Sequence, residues 1–98
     1  MAEFTVNGME LESKAAELKN LNASFLNVVN ELETQETALL GMWEGEAKEA
    51  FHKAFTSDKT QMTNFYNAIE KYIAVLQNAA AHYNNAEAKN LQIANTRL

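Results

Sequence analysis

Glu49 and His52 stand three residues apart, the Glu-x-x-His spacing that supplies ligands to di-iron centres in four-helix bundles. Such a centre needs both side chains aimed into a helical core. On a helical wheel, at about 100° per residue, Glu49 lies about 160° from Phe51 and His52 about 100° from it. Phe51 and Phe55 read as the inward residues. The first half of the chain offers only Glu36 at a comparable position, and antiparallel pairing of two chains would set its two copies at opposite ends. His52 and His82 therefore read as surface or edge histidines. There are three serines, Ser13, Ser24 and Ser57, and none stands in a pattern that supplies a base. The chain has no cysteine, hence no thiolate metal site and no disulfide framework, and it has no glycine-rich phosphate loop. The expectation is a non-enzymatic protein with no catalytic residue, no metal and no cofactor.

What remains is recognition chemistry. Trp43 and Gly45 stand at mid-chain in the run Leu39-Leu40-Gly41-Met42-Trp43-Glu44-Gly45-Glu46-Ala47, with Phe51 beyond. Near the end, Tyr83 and Glu87 are four apart and share one face if the helix continues, and Leu91 follows four further on. A tryptophan and a glycine at a turn also have a simple structural use. The indole plugs the end of a core, and the glycine lets the second helix begin close to the first. Likewise Tyr83 can close the end of a core while Glu87 sits in water.

These residues need long helices to place them. The 98 residues hold 16 alanines, 12 glutamates and no proline, which favours an all-α chain. The only glycines are 8, 41 and 45. The pattern predicts one helical-hairpin domain over 1–98: helix 1 about 8–40, a turn about 41–46, helix 2 about 47–87, and a flexible tail to 98. Asn7 is the expected N-cap with Glu10 at N3, and Val6 and Leu11 can form a hydrophobic staple. Leu11, Leu18, Phe25, Leu32 and Leu39 recur every seven residues, with Ala15, Asn22, Val29, Glu36 and Trp43 between them, a coiled-coil-like spacing. In helix 2, Phe51, Phe55, Met62, Phe65, Ile69, Tyr72, Leu76, Ala79, Tyr83 and Ala86 form the matching seam, which Asp58 interrupts. Leu11, Leu18, Phe25, Leu32, Phe51, Phe55, Phe65, Ile69 and Leu76 are the expected core and dimer seam, with Phe25 and Phe65 treated as fully buried. Leu21 and Val28 widen the first stripe, and Tyr66, Ile73 and Ala80 form a row beside the second.

The polar seam residues divide. Glu36, near the turn, reads as wet; Asn22 is balanced between a wet position and one that fixes register. The asparagines at 20, 27, 30, 64, 67 and 78 read as solvated faces.

Stripes this wide are more than one hairpin can bury, so the stable unit is expected to be a dimer forming a four-helix bundle. Charge bears on its arrangement. Residues 1–46 carry nine acids and two lysines, and residues 47–98 four acids and six bases, for a net −5 overall. Helix 1 against helix 2 is favoured and helix 1 against another helix 1 is not. The acidic excess argues against a nucleic-acid binder. No apolar run is long enough to span a bilayer, stable membrane insertion is not expected, and the N-terminus lacks the features of a secretory signal peptide.

Trp-x-Gly at the middle of a helical hairpin of this length resembles the WXG family, small helical hairpins of the early-secreted-antigen type exported by type VII secretion systems. Tyr83-Asn84-Asn85-Ala86-Glu87 resembles that family's C-terminal Tyr-x-x-x-Asp/Glu export signal. Leu91 fits the apolar position that follows, while Asn95 departs from the histidine some members carry. The resemblance implies a secreted, non-enzymatic substrate, effector or secretion partner of a type VII (ESX-like) system, in some members virulence-associated. It implies an antiparallel homodimer, or a heterodimer with a paralogous hairpin, recognised by the secretion ATPase and placed outside the cell or at its surface by a route that uses no signal peptide. The alternative is a cytosolic helical adaptor that escorts a larger helical-domain toxin.

Overall fold

The computed structural model describes the backbone of residues 7–96 and the side chains of residues 7–91. Val6, the expected outer half of the staple, lies outside the described residues, as do the side chain of Asn95 and residues 97–98. The chain forms two helices, α1 (Gly8–Leu40) and α2 (Glu46–Thr96), with no strand among the described residues. Asn7 caps α1: its side-chain Oδ1 accepts from the Glu10 backbone N–H at 2.8 Å, and its carbonyl accepts from the Leu11 N–H at 3.2 Å. This satisfies two of the orphan donors of the first turn.

The end of α1 tightens. Gly41 N–H still reaches the Thr37 carbonyl at 3.2 Å, but Met42 N–H turns to Leu39 at 3.0 Å and Trp43 N–H to Leu40 at 3.4 Å. The shift to three-residue spacing consumes the last carbonyls and stops the helix. Gly45 then adopts φ +110°, a conformation that a side chain disfavours, and α2 begins at Glu46. Glu46 and Glu49 place negative charge at the positive end of α2. With no proline or glycine after Gly45, α2 runs 51 residues to Thr96, beyond the boundary expected near 87.

Where one domain was expected, the chain groups into two compact units. A turn unit spans Asn20–Glu70, and a terminal unit combines the stretch of α1 up to Lys19 with the stretch of α2 from Lys71. In the turn unit α1 and α2 meet through Val29 and through polar groups. Asn22 is buried, and its Nδ2 donates to the Tyr66 carbonyl and to Glu70 Oε1, both at 3.1 Å. Glu36 is buried as well and meets His52 Nδ1 at 2.7 Å. Lys59 pairs with Glu33. Phe25 and Phe65 pack edge to face with ring centres 5.4 Å apart. The wet reading of Glu36 is thus corrected. It sits on the inner row of α1, one helical heptad from Val29, where a carboxylate is tolerated only with a partner.

In the terminal unit the buried residues are Gly8, Ala15, Ile73 and Ala80. A Cβ at Gly8 would meet the Asn84 side chain and lie 2.9 Å from the Ala80 carbonyl oxygen. The two backbones approach here more closely than a side chain permits.

This moves the centre of the core. The buried row of α1 is Gly8, Ala15, Asn22, Val29 and Glu36, not the leucine and phenylalanine row. Leu11, Leu18 and Phe25 are half-buried and Leu32 is exposed; on α2, Phe55, Ile69 and Leu76 are half-buried while Phe51 and Phe65 are exposed. Phe65 keeps 55% of its surface, so neither phenylalanine of the Phe25–Phe65 pair is fully buried within one chain. Small residues take the centre because they let the helices come close. The large ones, about 60° round α1, flank that line.

Candidate recognition surface

Beside the buried row, one flank of each helix stays apolar and open. On α1 the rows Leu11–Leu18–Phe25–Leu32–Leu39 and Leu21–Val28 follow one another round the helix. On α2 the rows Phe55–Met62–Ile69–Leu76 and Phe51–Phe65–Tyr72 do the same. In the turn unit the two flanks are on one side, since Phe25 touches Phe65. Phe25, Asp58, Gln61, Met62 and Phe65 line an open groove of about 500 Å³ there. Leu32, Leu39, Phe51 and Phe55 line a smaller apolar cleft of about 240 Å³ with Gln35 and Glu36. Leu21 and Tyr72 are 67% and 61% exposed. Apolar rows this continuous are unusual on a lone surface and mark a contact face.

The turn residues come together as a small cluster. The Trp43 indole is half-buried and packs on the Phe51 ring at 5.6 Å, tilted by 52°. Gly45 supplies the backbone angle that turns the chain into α2, and a Cβ there would meet nothing within 4 Å, so the constraint is conformational. Met42 projects into solvent beside them. The indole therefore closes one end of the helix pair and keeps an open part.

The tail residues Tyr83, Glu87 and Leu91 all lie on α2 at four-residue steps and all are exposed. They form one short face in which an aromatic ring, a carboxylate and an aliphatic side chain succeed one another. Trp43 and Gly45 belong to the turn unit and the tail residues to the terminal unit. The asparagines at 20, 27, 30, 64, 67 and 78 are exposed.

Sequence reasoning missed three features. His52 is a partner for buried Glu36 rather than an isolated surface group. Gly8 is a point of close helix approach, signalled only by small residues seven apart at 8 and 15. Tyr66 has its phenol pKa raised above 10.0, first by a hydrogen bond to Glu70 and then by burial and the Glu70 charge. Among the described residues no three His, Asp or Glu side chains converge as a metal site requires, and no helix is long and apolar enough to cross a membrane.

Two solved structures resemble the chain over nearly its whole length. The secreted protein EsxB from Bacillus anthracis str. Sterne, in selenomethionine form, shares 28% identity over 89% of this chain and 99% of its own, with a TM-score of 0.79. The wild-type EsxB in a second crystal form shares 27% identity over 86% of this chain and 97% of its own, with a TM-score of 0.77. No curated protein matches the chain. The WXG100 model, "Proteins of 100 residues with WXG", matches residues 3–88, and it joins the half-open Trp43, the glycine turn and the two helices in one pattern: the chain is a member of the WXG100 family.

Proposed function

We propose that this protein is a non-enzymatic substrate of a type VII secretion system, exported as a folded antiparallel homodimer. The observation that carries the reading is the exposed Tyr83–Glu87–Leu91 face on an α2 helix that continues past it to Thr96, in a WXG100 chain. A recognition face on a rigid helix can be read without unfolding the substrate. The open apolar flanks supply the dimer contact, covering Leu32, Phe65 and Tyr72, which a single chain leaves wet. Antiparallel packing follows from charge: the acidic stretch around the turn (Glu31, Glu33, Glu36, Glu44, Glu46 and Glu49 against Lys48) then lies beside the mildly basic end of α2 in the partner. In that arrangement Trp43 of one chain neighbours Tyr83 of the partner subunit, and the two motifs form one composite signal for the secretion ATPase. The family resemblance and the EsxB description as a secreted protein support placement outside the cell or at its surface.

The test is Glu87→Ala. Removing an exposed charge changes stability by no more than about 0.5 kcal/mol. The variant is expected to keep its fold and its mass in solution while its export into the medium falls. Export at the parent level would contradict the reading, and retention of the parent chain in the cytosol with a larger helical partner would favour the escort role.

A further inference from the structure

Asp58 is the misfit of the open face. It occupies the outer apolar row of α2 between Phe51 and Phe65, with Tyr72 one heptad further, and it lines the groove beside Phe25 and Met62. No ion pair within its own chain involves it among the described residues. The outer apolar row of α1 has one misfit too. Leu21 and Val28 continue, seven residues earlier, to Lys14. We infer that Asp58 pairs with Lys14 of the partner subunit, and that these two charges set the register and the partner choice of the homodimer. The inference rests on the antiparallel homodimer proposed above.

The argument is one of register. Gly8 faces Ala80 and Asn84, Asn22 faces Tyr66 and Glu70, Phe25 faces Phe65, and Glu36 faces His52, so the residue numbers of each facing pair add to about 90. The middle of α1 is Ser24. Two antiparallel copies overlap most when their α1 midpoints are level. Residue k of α2 then lies beside a residue of the partner's α1 numbered about 42 lower. Phe65 falls between the partner's Leu21 and the partner's Phe25. Tyr72 falls between the partner's Val28 and the partner's Leu32. Asp58 falls at the partner's Ala16, half a turn from the partner's Lys14, so the acid and the base coincide at one point of two otherwise apolar rows. The other nearby lysines lie elsewhere on the wheel. Lys19 is on the opposite flank of the buried row, and Lys71 is in line with the exposed Asn64 and Asn78. Lys14 now holds Glu17 at 3.2 Å on the surface, and both side chains are mostly exposed. A pair of that kind is weak, so the ammonium can reorient to a better-enclosed carboxylate.

The same pair excludes other registers. A slip of one heptad would bury Asp58 against the partner's Leu21 and leave Lys14 against apolar surface, and both charges would be desolvated without partners.

The experiment uses the full chain and its charge reversals, with light scattering and sedimentation for mass and circular dichroism for helix content. Asp58→Lys and Lys14→Glu alone each create two like-charge contacts per homodimer. Each is expected to weaken dimerisation about tenfold or more while the chain stays helical. Mixing the two variants restores opposite charges at both contacts, so the mixture is expected to form a heterodimer of near-parental affinity. The double variant Asp58→Lys/Lys14→Glu is expected to dimerise with itself. If the parent is a dimer and both single reversals dimerise as tightly, the pair is overturned and the dimer stands. If the single reversals dissociate but neither the mixture nor the double variant recovers, the pairing of these two residues is overturned. A monomeric parent overturns the homodimer itself and the inference with it.

Discussion

The turn unit and the terminal unit join α1 to α2 by different means. In the turn unit the contacts are directional: Asn22 reaches the Tyr66 carbonyl and Glu70, Glu36 meets His52, and Glu33 meets Lys59. In the terminal unit the buried residues are Gly8, Ala15, Ile73 and Ala80, and the one side-chain ion pair among the described residues, Lys14–Glu17, stays within α1. Directional polar bonds specify which residue faces which, and an off-register slip breaks them. Close approach of small residues supplies dispersion contact but tolerates little added bulk. The turn unit therefore depends on which polar groups it has, and the terminal unit on how little side chain it has.

Truncation at the centre of the terminal unit has the largest expected effect. Ile73 is 2% exposed, and Ile73→Ala is expected to lower stability by about 2–4 kcal/mol. Phe65→Ala, at 55% exposure, should cost less in a dissociated chain despite the larger side chain, and should show instead as weaker dimerisation. Thermal melts at several protein concentrations separate the two. If Phe65→Ala melts below Ile73→Ala at high dilution, the assignment of the core is wrong.

Adding bulk probes the same unit from the other side. Gly8→Ala forces a methyl group against the Ala80 carbonyl and the Asn84 side chain, at an expected cost of about 1–3 kcal/mol. Hydrogen exchange should localise the loss to α1 before Lys19 and to α2 after Lys71. Uniform loss in both units would contradict the comparison. In the turn unit Asn22→Ala removes two bonds across the helix pair, and about 1–2 kcal/mol is expected from denaturant unfolding. A neutral result would mean that the polar contacts do not hold this unit.

The smallest effect is electronic. Because Glu70 raises the Tyr66 phenol above 10.0, the neutral phenol is favoured in the folded chain. The stability this contributes is present below pH 10.0 and lost as pH rises through the higher folded value. In ultraviolet titration Glu70→Gln should bring the last-titrating tyrosine back towards 10.0, and an unchanged curve would remove Glu70 as the cause.

Much of this architecture is legible in the residues. Asn7 and Glu10 mark the start of α1, Gly41 and Gly45 bracket the turn, and the seven-residue spacing marks helices with a wide apolar face. The central row is harder to read. In a heptad repeat two neighbouring rows lie about 60° apart, and side-chain size favours the leucine row, whereas close helix approach selects the smaller one. Glu36 and His52 are separated by the turn, so their pairing depends on a register that periodicity alone leaves open by a heptad. For the recognition surface, the motifs at Trp43 and Tyr83 are visible as patterns, but the exposure of Tyr83, Glu87 and Leu91 depends on α2 continuing past the expected stop near 87.

The most direct test of the account mixes subunits. A folded dimer is assembled from one chain carrying Glu87→Ala and another carrying Trp43→Ala, each tagged differently, and its export into the medium is measured against the two single-variant homodimers. In antiparallel packing both lesions fall at the same end, and the other end keeps an intact pair of motifs. The account predicts that the mixed dimer is exported while both homodimers are retained. Retention of the folded mixed dimer would contradict a composite signal shared across the interface.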